Sequence, residues 1–193
     1  MNLLHKLLRK LPIIKHKINK QDNRSYHFIA VIDCILNQNA RDSGAAAYPA
    51  MNWEVIQLCN DYNIGILQMP CPEIAFLGFP RTRPPGVSIR AALDTAEGRF
   101  CCRKLSIDTA DRIKELMQQG AQCLAILGGN PESLGCAVPI DNKKQNVSGV
   151  FIVELSNELY QRNISIPFRG IRDFDTDLMA DDIQWLRQLF SKS

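Results

Sequence analysis

The sequence predicts an α/β fold, one compact domain with a parallel sheet and flanking helices. Three observations carry this. Short apolar runs of strand character recur at Phe28-Ile29-Ala30-Val31-Ile32, at Ile64 to Met69 and at Cys123 to Leu127. Segments with helical spacing and helix-capping residues separate them, and strands alternating with helices are the signature of parallel pairing. The length of 193 residues suits one hydrophobic core, and there is no internal repeat.

The elements follow in order. Residues 27–34 read as a buried first strand, and 35–44 as a polar loop. Asn52 is a good N-cap for a helix over 52–62, with Glu54 in its first turn and Asn63 as its stop. Residues 64–69 form the second strand, ending in Pro70-Cys71-Pro72-Glu73. Four features of 74–104, the prolines Pro80, Pro84 and Pro85 and the turn glycine Gly86, make it the least regular stretch; long loops in small domains are more often functional than idle. A helix is expected over 106–119, with Gly120 ending it. The third strand covers 122–127 and leads into a glycine-rich loop, 128–138. Residues 149–161 read as a helix, with a strand at 150–154 as the alternative. A short fourth strand is expected at 164–167 and a terminal helix at 180–191, with Leu186, Leu189 and Phe190 on one face.

Charge divides the chain. Residues 1–24 carry seven Lys or Arg against the single acid Asp22, a net of +6, so the body holds −3 of the overall +3. Leu4, Leu7, Leu8 and Leu11 recur at helical spacing before Pro12. This basic amphipathic segment is read as a helix packed on the body or a frayed end, with weak contact to an anionic membrane surface as the sharper alternative. Basic residues do not interleave with aromatics in the body, so no nucleic acid polymer is expected as partner. No apolar run is long enough to span a membrane, and the start lacks a small-residue cleavage site, so the expected location is cytoplasmic.

The seven cysteines are odd in number and irregularly spaced, which argues for free thiols in a reducing compartment. Three of them, Cys34, Cys71 and Cys136, fall just after the three apolar runs. Strand carboxyl ends of an open parallel sheet gather at one edge, where ligands bind. Zinc would call for a fourth ligand and local Cys-x-x-Cys pairs, which are absent; Cys101-Cys102 is a vicinal pair and chelates poorly. Thiolates are the normal ligands of iron–sulfur clusters, and a 4Fe-4S cluster on three cysteines leaves an iron open to substrate. Cys59 and Cys123 sit inside expected elements and read as core residues.

The same loops carry other chemistry. Glu73, two residues after Cys71, is placed to move protons beside such a cluster. Arg81 and Arg83 stand among prolines in Pro80-Arg81-Thr82-Arg83-Pro84-Pro85, fixed well for a carbonyl, carboxylate or phosphate, or else exposed on a solvated turn. Ser133, three residues before Cys136, can bond a substrate carbonyl or a cluster sulfur, and Gly128, Gly129 and Gly135 permit close backbone approach.

Cys34-Ile35-Leu36-Asn37 with Arg41 and Gly44, then Cys71-Pro72-Glu73 leading to Arg83-Pro84-Pro85, then Ser133-Leu134-Gly135-Cys136 and Gly149-Val150-Phe151, occur in the order seen in one family. Over residues 27–170 the chain resembles the thiouracil desulfidase family. The resemblance implies a Rossmann-like domain in which Cys34, Cys71 and Cys136 hold a 4Fe-4S cluster with one open iron. It implies that the sulfur of a thiolated pyrimidine binds there and that water replaces it, with Glu73 and Ser133 as catalytic residues. Arg83, Arg41 and Asn37 are the expected substrate contacts. The chain departs from the family pattern at Ala40, where a further cysteine is usual, in the position of the arginine before the double proline, and in Gly128 to Ala137, which lacks a lysine and adds Glu132, another proton-transfer candidate. These departures mark a divergent relative. The alternatives are a non-catalytic iron–sulfur redox or sensor protein, and a metal-free domain that binds a small molecule. The sequence leaves the oligomeric state open.

Overall fold

The structure is a computed structural model that describes residues 22–131, 133–139 and 147–193. Most of the expected basic segment, residues 1–21, lies outside the described residues, as does Glu132. A four-stranded, wholly parallel sheet of order β2-β1-β3-β4 forms the centre. β1 is His27–Ile32, β2 Gly65–Met69, β3 Gln122–Gly128 and β4 Phe168–Gly170. β1 pairs with β2 from Phe28 opposite Gly65 to Ile32 opposite Met69, and with β3 from His27 opposite Gln122 to Val31 opposite Leu127. β1 and β3 are buried on both faces, which is why both read as continuous apolar runs rather than alternating ones.

The helices are α1 (Asp33–Leu36), followed by a 3-10 turn at Gln38–Ala40, α2 (Trp53–Asp61), α3 (Pro72–Leu77), α4 (Ile89–Leu93), α5 (Ala96–Gln118), α6 (Val150–Gln161) and α7 (Thr176–Phe190). The chain leaves β1 toward β2 on one side, then returns across β1 to β3 on the other. Right-handed crossovers therefore send α2 to one face and α5 and α6 to the other. The packing agrees: α5 lies against α6, and α2 against α7. One core results, with Ile29, Ile32, Met69, Ile126, Leu127, Phe151 and Leu155 fully buried.

Three sequence expectations are corrected. Much of the stretch 74–104 is helical: α3 runs to Leu77, α4 follows, and α5 begins at Ala96 rather than at Ser106. The causes are local caps. The Ser88 hydroxyl accepts from Ala91 N, the Thr95 hydroxyl accepts from Gly98 N, and Pro72 occupies the first turn of α3, where a missing N–H is harmless. Residues 78–88 and the two-residue link 94–95 remain irregular. The fourth strand falls at Phe168–Gly170 rather than 164–167; the ladder opens where Ile126 N donates to Pro167 O, a carbonyl that proline retains. The last helix starts earlier than expected because Asp175 caps it, accepting from Asp177 N and Leu178 N. The Asn52 cap is as expected, accepting from Val55 N, and 150–154 is helix, not strand.

Candidate functional site

In a sheet of this order, the direction of winding reverses between the parallel neighbours β1 and β3, and the loops leaving their carboxyl ends diverge to open a crevice. Cys34 lies in the first turn of α1, two residues beyond β1. Cys71, buried, is the N-cap of α3, two residues beyond β2. Cys136 lies in the loop that follows β3 and is buried. All three cysteines line one cavity of about 240 Å³, together with Glu73, Arg41, Arg81 and Ser133. The other four cysteines stand elsewhere. Cys59, Cys102 and Cys123 are core residues, Cys101 is half-buried on α5, and none of the seven forms a disulfide.

Glycines set the position of Cys136. A Cβ on Gly129 would lie 2.8 Å from the Cys136 sulfur and 2.5 Å from the Ser133 hydroxyl; one on Gly149 would lie 2.5 Å from Cys136 N. The loop is stitched back onto β3 by Gly129 N to Cys136 O, 2.8 Å, and onto α6 by Phe151 N to Gly135 O, 3.0 Å. Close packing of backbone, available only to glycine, thus brings the third thiol to the first two.

The two arginines of the cavity are both locked. Arg81 is 4% exposed and adopts a left-handed φ of 47°, a conformation rare outside glycine and found at constrained sites. Its Nε donates to Glu73 Oε2 at 3.3 Å, its Nη2 to Ala40 O at 2.6 Å and its Nη1 to Phe79 O at 2.9 Å. It therefore ties α3 to the 3-10 turn and holds Glu73 on the cavity wall. Arg41 donates through Nη2 to Asp173 Oδ2 at 2.6 Å and through Nη1 to Ala45 O at 3.0 Å. Buried Gln38 organises the loop beneath, donating to Cys34 O at 2.8 Å and accepting from Ala47 N at 2.9 Å.

Of the residues singled out in the sequence, Cys34, Cys71, Cys136, Glu73, Ser133 and Arg41 come together. Arg83 and Asn37 do not line the cavity. Arg83 donates to Val87 O and Arg81 O, and Asn37 caps the 3-10 turn by accepting from Asn39 N. Arg81 takes the place expected for Arg83. Asp173 and Gln38 gave no signal in the sequence reading. Asp173 follows the true end of β4, so the rule that found the cysteines also finds it once the strand is placed correctly.

Electrostatics follow from crowding. Burial pushes the Cys34 thiol up to about 11, against the pull of the Arg41 guanidinium, and Cys71 adds to the rise. Burial also raises Cys71, opposed by the Ile74 backbone N–H. Cys136 is raised well above the ordinary thiol range by burial, with Cys34, Glu73 and Cys71 adding to it. Burial raises all three thiols and so favours their protonated forms when metal-free, a preference that cations held among them would reverse.

Among the described residues, no three His, Cys, Asp or Glu side chains close on one point as the ligands of a single ion would. By donor chemistry the set is one a cluster could use, three thiols from separate loops lining one cavity. A larger groove, about 580 Å³, opens at the amino ends of β1 and β2 among Tyr26, Ile64, Ile66 and Leu116. It is mainly apolar and holds none of the residues above except the core thiol Cys59.

The chain is 29% identical over 132 residues to the uncharacterized protein MJ0003 of Methanocaldococcus jannaschii, a match covering 68% of this chain and 77% of that protein. No family model matches the chain. No solved structure matches it. No helix among the described residues is long and apolar enough to cross a membrane.

Proposed function

We propose that this chain carries a 4Fe-4S cluster on Cys34, Cys71 and Cys136 and removes sulfur from a small thiolated heterocycle, a desulfidase activity. The observation that supports it most is the meeting of three thiols, a carboxylate and a hydroxyl in one cavity from the loops after β1, β2 and β3. When bound, such a cluster would supply a Lewis-acidic iron for the substrate's sulfur. Glu73 would take a proton from the water that attacks the ring carbon, while Ser133 would hydrogen-bond the ring beside it. Water and the thiocarbonyl then give a carbonyl and hydrogen sulfide, so atoms balance without an oxidant or reductant. Arg81 would keep Glu73 aimed inward. A volume of about 240 Å³ favours one small ring over a polymer. Free thiols suit a cytoplasmic setting, where reduction is maintained.

The test is anaerobic reconstitution with iron and sulfide, followed by iron and sulfide analysis and by a sulfide-release assay on thiopyrimidines. Wild type should bind four irons. Cys34→Ala, Cys71→Ala and Cys136→Ala should each fail to hold an intact cluster, whereas Cys59→Ala and Cys123→Ala should retain it. A colourless wild type, or equal loading in all variants, would remove the cluster and the activity together. An intact cluster with no sulfide from any thiopyrimidine would leave the non-catalytic iron–sulfur protein as the surviving reading.

A further inference from the structure

Asp173 stands out because its carboxylate is fully buried and only partly satisfied. Its side chain is 0% exposed. One oxygen, Oδ2, accepts from Arg41 Nη2 at 2.6 Å and from Gln38 Nε2 at 3.5 Å. The other, Oδ1, is buried without a hydrogen-bond partner. A buried carboxylate with an orphaned oxygen is costly, and an apolar side chain would avoid the penalty. Its neighbour Asp182 shows the contrast: that buried carboxylate receives Arg169, Arg172 and the Arg172 backbone N–H, using both oxygens. What Asp173 does instead is fix one guanidinium. Arg41 lines the same cavity as Cys34, Cys71 and Cys136.

We infer that Asp173 is a positioning residue, holding the Arg41 guanidinium on the wall of the three-cysteine cavity so that an anionic cluster bound there meets a fixed positive charge. This rests on the cluster reading given above. Without Asp173 the long Arg41 side chain loses its carboxylate partner and keeps its hydrogen bond to Ala45 O, so its guanidinium is no longer fixed on the cavity wall. Losing one fixed positive charge facing a bound anionic group is worth about tenfold in retention.

The full chain is reconstituted anaerobically, and loss of its cluster absorbance to an iron chelator is timed for wild type, D173N, R41K and D173N/R41K. Thermal unfolding of each iron-free chain is recorded alongside. The expected result is cluster loss about tenfold faster in D173N and in R41K, no faster still in the double variant because both act through one contact, and iron-free unfolding midpoints that stay close together. D173N with wild-type retention overturns the inference, as do single effects that multiply in the double variant. A D173N chain that is unfolded, or far less stable than R41K when iron-free, shows a structural role and overturns it as well. Wild type that takes up no iron strikes down the cluster reading itself, an outcome distinct from the others.

Discussion

Replacing Gly129 by alanine tests whether the loop after β3 is shaped for Cys136. The added Cβ would lie 2.5 Å from Ser133 Oγ, 2.6 Å from Ser133 Cβ and 2.8 Å from Cys136 Sγ. Comfortable carbon contacts begin near ~3.5 Å, so the overlap is about 1 Å on two side chains at once. Neither can retreat easily. Cys136 O is held by Gly129 N at 2.8 Å, Ser133 O by Ala137 N at 2.8 Å, and the loop is packed so closely at Gly135 that a Cβ there would lie 3.0 Å from both Leu93 and Pro72. Overpacking of this kind costs about 2–3 kcal/mol. In a chain this size that lowers the unfolding midpoint by about 4–12 °C. Part of the strain should be relieved by pushing the Cys136 sulfur out of place, so iron content after reconstitution should fall below about half of wild type. Gly86→Ala is the control. Its φ is +78° but nothing lies within 4 Å of the new Cβ, so it should cost about 1 kcal/mol of backbone strain and leave iron content unchanged. If Gly129→Ala binds iron and melts like wild type, the close approach is not what places Cys136, and the argument for a shaped loop fails.

Asp182→Ala should destabilise the fold by about 3–5 kcal/mol in urea titration, because Arg169 and Arg172 would share no buried carboxylate; a loss under about 1 kcal/mol would contradict this. Arg83→Ala should leave stability within about 0.5 kcal/mol and iron content unchanged, since both its bonds are to backbone oxygens of an exposed turn, whereas Arg81→Gln should lower both; equal behaviour would refute the assignment of Arg81 to the site. Alkali should destabilise the iron-free protein. Burial pushes Cys59, Cys102 and Cys123 up to about 12, and a raised thiol contributes stability that is complete below the unfolded value near ~9 and is lost as pH climbs toward the folded one. The urea midpoint measured under reducing conditions should therefore fall as pH rises from about 9 toward about 12, and a flat profile would show that these thiols ionise in place.

The parts of this fold legible in the sequence are those with strong local signals. β1 and β3 announce themselves because both faces are buried and every position is apolar. Asn52 and Gly120 mark helix ends through chemistry that needs no tertiary context. The region from Ile74 to Lys104 was misread for a definable reason: prolines and Gly86 dominate its appearance, while the caps at Ser88 and Thr95 act over three residues only and are easily outweighed. The fourth strand slipped because Ile164-Ser165-Ile166 alternates like a strand, yet it buries Ile166 against the core without entering the ladder. That slip hid Asp173. The choice of Arg83 over Arg81 illustrates a different limit. Two arginines two residues apart on a turn differ only in backbone dihedral, and the left-handed φ that turns Arg81 inward leaves no trace in residue type.

The arrangement of the candidate site follows from topology more than from any single motif. With order β2-β1-β3-β4, a loop leaving each strand's carboxyl end faces the same edge of the sheet. Each of the four contributes one piece: Cys34 after β1, Cys71 and Glu73 after β2, Ser133 and Cys136 after β3, Asp173 after β4. No two of the three thiols are closer than 37 positions in sequence, so none of them constrains another before the sheet forms. A metal cluster bound there would therefore cross-link three separate crossovers and should stabilise the native sheet as a whole, by mass action, rather than one loop. This gives the cluster reading a physical consequence independent of activity. Loading should raise the unfolding midpoint of wild type, and that increment should vanish in Cys34→Ala, in Cys71→Ala and in Cys136→Ala alike. If loading stabilises a variant lacking one of these thiols as much as wild type, that thiol is not a ligand, and the shared edge of the sheet is only a shared address.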